Sequence, residues 1–202
     1  MLDALHDTFN GIQEKVLKKK GYFEIYRGDS FQVLIDEPHL ALKVTLILKS
    51  RLRSLLTSPA STKGMTEYKS DARIAIGIGS MRMQSSKIIE SQGEAFELSG
   101  SELDKMIKDS ATLSIKTPWE EVNEEFKVNC MFADSVMNSW SAKTAESVFR
   151  YLLYGETQEE QAQYFKVSQP AISKRLFNQG NMKAMDAFLK RFENIIENQA
   201  NK

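Results

Sequence analysis

Residues Thr157 to Leu176 read TQEEQAQYFKVSQPAISKRL. The pattern predicts a helix, a short turn and a second helix, with apolar residues spaced to pack the two together. Thr157 is a good N-cap, and Glu160 three residues on completes a capping box. Ala162 falls where the helices meet, and its small side chain permits close approach. Phe165 and Val167 flank the turn and point inward. Ser168 is placed to cap the second helix, and Pro170 lies in its first turn, where the missing N–H does no harm. Ile172 and Leu176 share one face and close a small core.

The outward face of the second helix carries Gln169, Ser173, Lys174 and, further along, Gln179. Gln can pair bidentately with adenine, Ser can donate or accept, and Lys favours guanine or phosphate. Lys166 and Arg175 are placed for phosphates, which give affinity without sequence information. The small Ala162, the apolar Phe165, Val167 and the phrase VSQPAIS resemble helix-turn-helix segments, which lay their second helix in the major groove of DNA. The resemblance therefore implies DNA contacts from Lys166, Ser168, Gln169, Pro170, Ser173, Lys174 and Arg175. One position departs from it: the turn residue that is usually Gly is Lys166, which must then adopt a left-handed conformation at some cost. The alternative is an ordinary helical hairpin that binds no DNA.

The whole chain has 202 residues and is 42% hydrophobic, enough for one large or two small domains with a real core. Formal net charge is +0, so no bulk field draws it to nucleic acid and a local basic face must do so. Lys166, Lys174, Arg175, Lys183, Lys190 and Arg191 can supply one, with Glu156, Glu159 and Glu160 nearby. Modest affinity from one copy is expected, which favours a homodimer. The single cysteine, Cys130, excludes an intrachain disulfide, and His6 and His39 have no metal-ligand spacing. No metal, cofactor or catalytic residue is expected. There is no apolar run long enough for a membrane and no signal-peptide pattern, so a cytoplasmic protein is expected.

Upstream, Leu2, Leu5, Phe9, Ile12 and Val16 recur at helical spacing, followed by Lys18, Lys19, Lys20 and Gly21 as a helix end. Tyr22 to Tyr26 and Ser30 to Ile35 read as strands about an Arg27-Gly28-Asp29 turn. Pro38 opens a second helix running to about Leu56, and Thr57 to Ser70 reads as loop. In Arg73 to Gly79, RIAIGIG, the isoleucines face one way, while Ala75, Gly77 and Gly79 face something that approaches closely. A covering helix is preferred there to a bound nucleotide. A helix from about Gly93 to Ile107 and a strand near Ala111 to Ile115 follow. Thr117-Pro118-Trp119-Glu120 reads as a capping box opening a long helix, whose stripe is Trp119, Val122, Phe126, Cys130, Ala133, Met137 and Trp140. Cys130 reads as a small core residue. Ser141 to Tyr154 is a helix stopped by Gly155. Beyond Gly180, the stripe Met182, Met185, Phe188, Leu189, Phe192, Ile195 and Ile196 either covers the reader's back or joins two copies.

This order predicts an α+β fold, with an N-terminal antiparallel sheet and helices on one face, followed by an all-α C-terminal part. The expected divisions are 1–116, a connector helix 117–140, and 141–202. The Gly28-Asp29-Ser30-Phe31 turn and the IAIGIG strand with GEAFELSG resemble class III nucleotide cyclases and GGDEF diguanylate cyclases. The pattern is most similar to the bacterial SatD-like group, through Gly28, Asp29, Phe31, Gln32, Gly77, Gly79, Gly93, Ala95 and Phe96, over roughly the first 115 residues. That resemblance implies a ferredoxin-like, nucleotide-cyclase-like sheet, with Gly28 and Asp29 as nucleotide-binding residues. In such cyclases two carboxylates hold two metal ions. Here Asp29 is the one candidate, Ser30 stands at the next acidic position, and the strand that would carry the partner Asp is not found before the first helix. No cyclase activity is expected, and Asp29 reads first as a turn-former.

The sequence thus points to a DNA-binding transcriptional regulator whose N-terminal half senses a ligand, such as a nucleotide, or dimerises. The alternatives are a nucleotide-binding or nucleotide-cyclising enzyme and a protein-interaction scaffold.

Overall fold

The computed structural model describes residues 2–26, 30–57, 68–69, 71–81 and 93–200. Helix α1 spans Leu2–Lys15. Strands β1, Tyr22–Tyr26, and β2, Ser30–Leu34, pair antiparallel from Tyr22 opposite Leu34 to Tyr26 opposite Ser30. The tip of this hairpin, with Gly28 and Asp29, lies outside the described residues. A 3-10 turn at Pro38–Leu40 leads into α2, Ala41–Ser54. Two short strands, β3, Leu56–Thr57, and β4, Tyr68–Lys69, pair antiparallel. Strand β5, Ile74–Gly77, helix α3, Glu94–Asp109, and strand β6, Leu113–Lys116, form a strand-helix-strand unit.

The strands do not assemble into the antiparallel sheet expected from the sequence. Among the described residues they form three separate two-stranded sheets, and β5 with β6 is parallel, Ile74 lying opposite Leu113 and Gly77 opposite Lys116. The physical reason is α3. A parallel pair needs a crossover, and a helix of 16 residues is long enough to return the chain to the starting end of β5. The helix lies over Gly77 and Gly79, on the small-residue side of the strand. A Cβ built on Gly77 would stand 2.0 Å from the Ala95 carbonyl oxygen and 2.8 Å from the Ser99 nitrogen. The close neighbour predicted for this face is therefore the covering helix.

The remaining chain is helical: α4, Glu120–Ser139, α5, Ala142–Tyr154, α6, Gln158–Phe165, α7, Gln169–Ser173, and α8, Met182–Ala200. The predicted capping box at Thr117 is replaced by another arrangement. Trp119 takes the N-cap position without a side-chain cap. The Thr117 hydroxyl accepts from the Trp119 N–H at 3.1 Å, and the Asn123 amide bonds both the N–H and the C=O of Thr117, at 2.8 and 2.9 Å. Asn123 outcompetes Glu120 because its short amide matches both backbone groups at once.

One buried core runs from Ile12 through Leu46, Ile76, Ile115, Phe126 and Val148 to Ile172 and Phe192, across the divisions expected near 116 and 140. Helices α2 and α5 lie along each other and form its spine. The stripe of α8 is buried within the same chain, Phe192 at 0% and Ile196 at 1% exposure. Among the described residues no helix is long and apolar enough to cross a membrane.

Between α2 and the β5–β6 pair the core is ionic. Lys49 is fully buried, and its Nζ donates to Asp71 Oδ1 at 3.1 Å, the Ala72 carbonyl at 2.7 Å, the Thr112 carbonyl at 3.1 Å and the Thr112 hydroxyl at 3.0 Å. Desolvation holds its ammonium below the usual lysine value, against the pull of the Asp71 carboxylate. Arg53 bonds the other Asp71 oxygen and reaches the Asn138 carbonyl of α4 at 3.0 Å. Asp134 of α4 accepts from the Thr112 N–H and hydroxyl, both at 2.7 Å. These groups tie α2, the start of each strand and the end of α4 into one joint.

Candidate nucleic-acid interface

The α6–α7 pair is built from its caps inward. The Thr157 side chain accepts from the Glu160 N–H at 3.2 Å, while Glu160 accepts from the Thr157 N–H at 2.8 Å, so the predicted capping box is complete. Those donors, the Thr157 N–H first, hold the Glu160 carboxyl below the usual carboxylate value. At the other end of α6, Lys166 takes φ 53° and ψ 47°, the left-handed conformation that its place in the turn demanded. The Val167 N–H then donates to the Ala162 carbonyl at 3.0 Å and closes the turn.

Ser168 occupies the N-cap position of α7, but its side chain makes no capping hydrogen bond, so its hydroxyl stays on the surface instead of serving the helix. Pro170 lies in the first turn, as expected. Ile172 and Leu176 are buried at 0% and 1% exposure, with Ala162, Phe165 and Val167 packed against the same core.

After Ser173 the helix widens into a π-helical stretch, Lys174–Gln179. The Gly180 N–H donates to the Arg175 carbonyl, five residues back, at 2.6 Å, and a Cβ on Gly180 would stand 2.7 Å from the Leu176 carbonyl. Such widened turns recur at functional sites. Trp140 Nε1 donates to the Gly180 carbonyl at 3.3 Å, and the Thr144 hydroxyl donates to Gln179 Oε1 at 3.2 Å, so α4 and α5 fix the end of the stretch. Gln179 is therefore engaged by α5.

The residues singled out from sequence fall into two groups. Lys166, Ser168, Pro170 and Lys174 are exposed; Gln169, Ser173 and Arg175 are half-buried. The Arg175 guanidinium lies 5.1 Å from the centre of the Phe165 ring, so its planar head spans the turn from α7 to α6. Gln169 Nε2 donates to Gln158 Oε1, joining the first residue of α7 to the first residue of α6. Gln158 was not singled out from sequence. Its one signal was a helix-start amide whose partner helix also starts on an amide.

Of the acidic residues nearby, Glu156 is paired with Arg150, with Nε to Oε2 at 2.7 Å, whereas Glu159 and Glu160 stay exposed and Glu160 keeps its charge in the cap. Among the described residues Lys166, Lys174, Lys183 and Lys190 form no salt bridge, whereas Arg191 is held by Glu125 at 2.7 and 2.9 Å and is not available. Behind the pair, Gln161 is fully buried and donates to the Ser147 carbonyl of α5 at 3.1 Å. This is a second contact that apolar periodicity does not reveal. The Arg150 guanidinium also stacks 3.5 Å over the Tyr164 ring, so α5 grips α6 by an amide and by a cation.

Among the described residues no cluster of His, Cys, Asp and Glu is placed to hold a metal ion. Cys130 is buried, and burial pushes its thiol well above the ordinary value. No family model matches the chain, and no curated protein or solved structure is significantly similar to it.

Proposed function

We propose that the chain is a DNA-binding regulator acting in the cytoplasm. In this reading α6 and α7 form a helix-turn-helix, α7 enters the major groove, and the α+β part senses a ligand or supports dimerisation. The likeness to SatD-like, nucleotide-cyclase-like chains makes a nucleotide the candidate ligand for that part, through Gly28 and Asp29.

The observation that carries the reading is the amide pair at the helix starts. Gln158 takes one N–H of Gln169. That leaves the Gln169 carbonyl oxygen and its second N–H, the donor and acceptor that an adenine edge requires. A side chain held this way loses less rotamer entropy on meeting a base. Lys174 stands exposed one turn along, and Lys166 stands exposed at the turn, where phosphates would pass.

The test uses the full chain and a pool of random-sequence duplexes, enriched at low salt and then assayed by gel retardation. Gln169→Ala with Lys174→Ala is expected to abolish retardation of the enriched duplex while leaving circular dichroism unchanged. Undiminished retardation by the double variant would remove the proposal. So would failure of the wild-type chain to enrich any duplex.

A further inference from the structure

We propose that the corner where α4 meets α5 works as a lever. Trp140 and Thr144 hold the widened end of the reader, and Asp134 and Asn138 make that hold depend on the ionic joint. The proposal deepens the DNA-binding reading, on which it rests for its purpose, since it gives the α+β part a mechanical route to α7.

One arm of the lever ends in the joint. Asp134 Oδ2 accepts from the Thr112 N–H at 2.7 Å, and Arg53 donates to the carbonyl and the side-chain oxygen of Asn138 at 3.0 and 3.3 Å. The other arm ends on the reader. The buried Trp140 donates from Nε1 to the Gly180 carbonyl at 3.3 Å. The Ser141 and Thr144 hydroxyls lie 2.9 Å apart, and Thr144 donates onward to Gln179 Oε1 at 3.2 Å. From Asp134 to Trp140 the chain rises only about 9 Å. With Met137 buried inside that span, the end of α4 moves as one rigid piece.

A lever needs an element with two positions, and the widened stretch Lys174–Gln179 supplies it. Its Gly180 N–H closes on the Arg175 carbonyl at 2.6 Å. In an unbroken α-helix the same N–H would close on Leu176. Both carbonyls are near: a Cβ on Gly180 would stand 2.7 Å from the Leu176 oxygen and 2.8 Å from the Arg175 oxygen. Gly180 has ordinary right-handed dihedrals, φ −79° and ψ −20°, so glycine stands there for space. That space lets the N–H pass from one carbonyl to the other. A π-helical run is rare, so its neighbours must hold it open. Within it only Leu176 is buried, and the remaining anchors are those that Trp140 and Thr144 provide at its end. Release of Trp140 therefore lets the end of the reader slip by one residue.

Native-state amide exchange of the full chain without DNA reads the lever directly. Asp134→Asn is expected to quicken exchange of the Gly180 N–H about 10-fold more than that of Ile196 in α8. By reciprocity, Trp140→Phe is expected to quicken the Thr112 N–H by a similar factor. The double variant should expose Gly180 no faster than Trp140→Phe alone, because Asp134 acts through Trp140; two merely structural losses would add. Asn138→Ala, at an exposed residue, should move Gly180 in the same direction, and it serves should Asp134→Asn fail to fold. Gly180 exchange untouched by either joint variant would overturn the proposal. So would equal quickening at Gly180 and Ile196, or additive effects in the double variant. Coupled exchange in a chain that retards no duplex would uphold the lever and sink only the DNA-binding reading.

Discussion

The α6–α7 pair and the joint between α2 and the β5–β6 strands are held by opposite means. The first closes on Ile172, Leu176, Phe165 and Val167, with polar groups kept to its caps and surface. The second buries Lys49 and Arg53 against Asp71, with Asp134 gripping Thr112 from α4. An apolar wedge is non-directional and tolerates small shifts. An ionic joint is directional: every donor must find its acceptor, because an unpaired buried charge costs several kcal/mol. A surface that must adapt to a ligand is well served by the wedge. A joint that must hold two strands and two helices in one relative position is well served by the charges.

The largest effect should come from disarming the joint. Lys49→Met removes the ammonium and leaves the Ala72 and Thr112 carbonyls without their donor. We expect a loss of about 3 kcal/mol in urea denaturation. Unchanged stability would erase the contrast, since the joint would then be held by its apolar neighbours like the rest of the core.

A smaller effect of opposite sign is expected at the turn between α6 and α7. Lys166 holds a left-handed conformation and is exposed, so Lys166→Gly relieves backbone strain without loss of packing. We expect a gain of about 1 kcal/mol in the same denaturation experiment. Any duplex affinity should fall uniformly across sequences, as loss of a phosphate contact requires.

The smallest effect is a pH dependence confined to α6. The folded-state value of Glu160 lies below its unfolded one, so the stabilisation is present above the unfolded value and is lost as pH falls through the lowered one. Amide exchange in the first turn of α6, corrected for its intrinsic pH dependence, should therefore quicken as pH falls below the ordinary glutamate range. Glu160→Gln keeps an acceptor for the Thr157 N–H and should remove that dependence. Quickening that persists in the variant would assign the titration to another group.

What the sequence made legible follows from the same contrast. Apolar spacing and caps are local, so Thr157 with Glu160, the Lys166 strain, the stripe of α4 and the Gly155 stop could all be read residue by residue. The Ala75 and Gly77 side of β5 could also be read, because a missing side chain records a close neighbour. The ionic joint could not, since Lys49 meets Thr112 across 63 residues and Arg53 meets Asn138 across 85. A lysine on a helix is by default a solvent-facing residue, and nothing local says otherwise. Strand direction was hidden for a related reason. The strand-helix-strand order at β5, α3 and β6 fits either pairing until the path of the helix is known. At the start of α7 the cap spacing placed Gln169, but its partner Gln158 was not legible, because the hydrogen bond links two helices.

The widened turns after Ser173 set a limit on how much any duplex could be read. Only the five residues of α7 keep regular helical register before the π-helical stretch begins. Five residues rise about 7.5 Å along their axis, which matches roughly two base-pair steps of 3.4 Å. A single chain would then recognise a word too brief to be unique in any genome. Discrimination would have to come from the spacing between two such words.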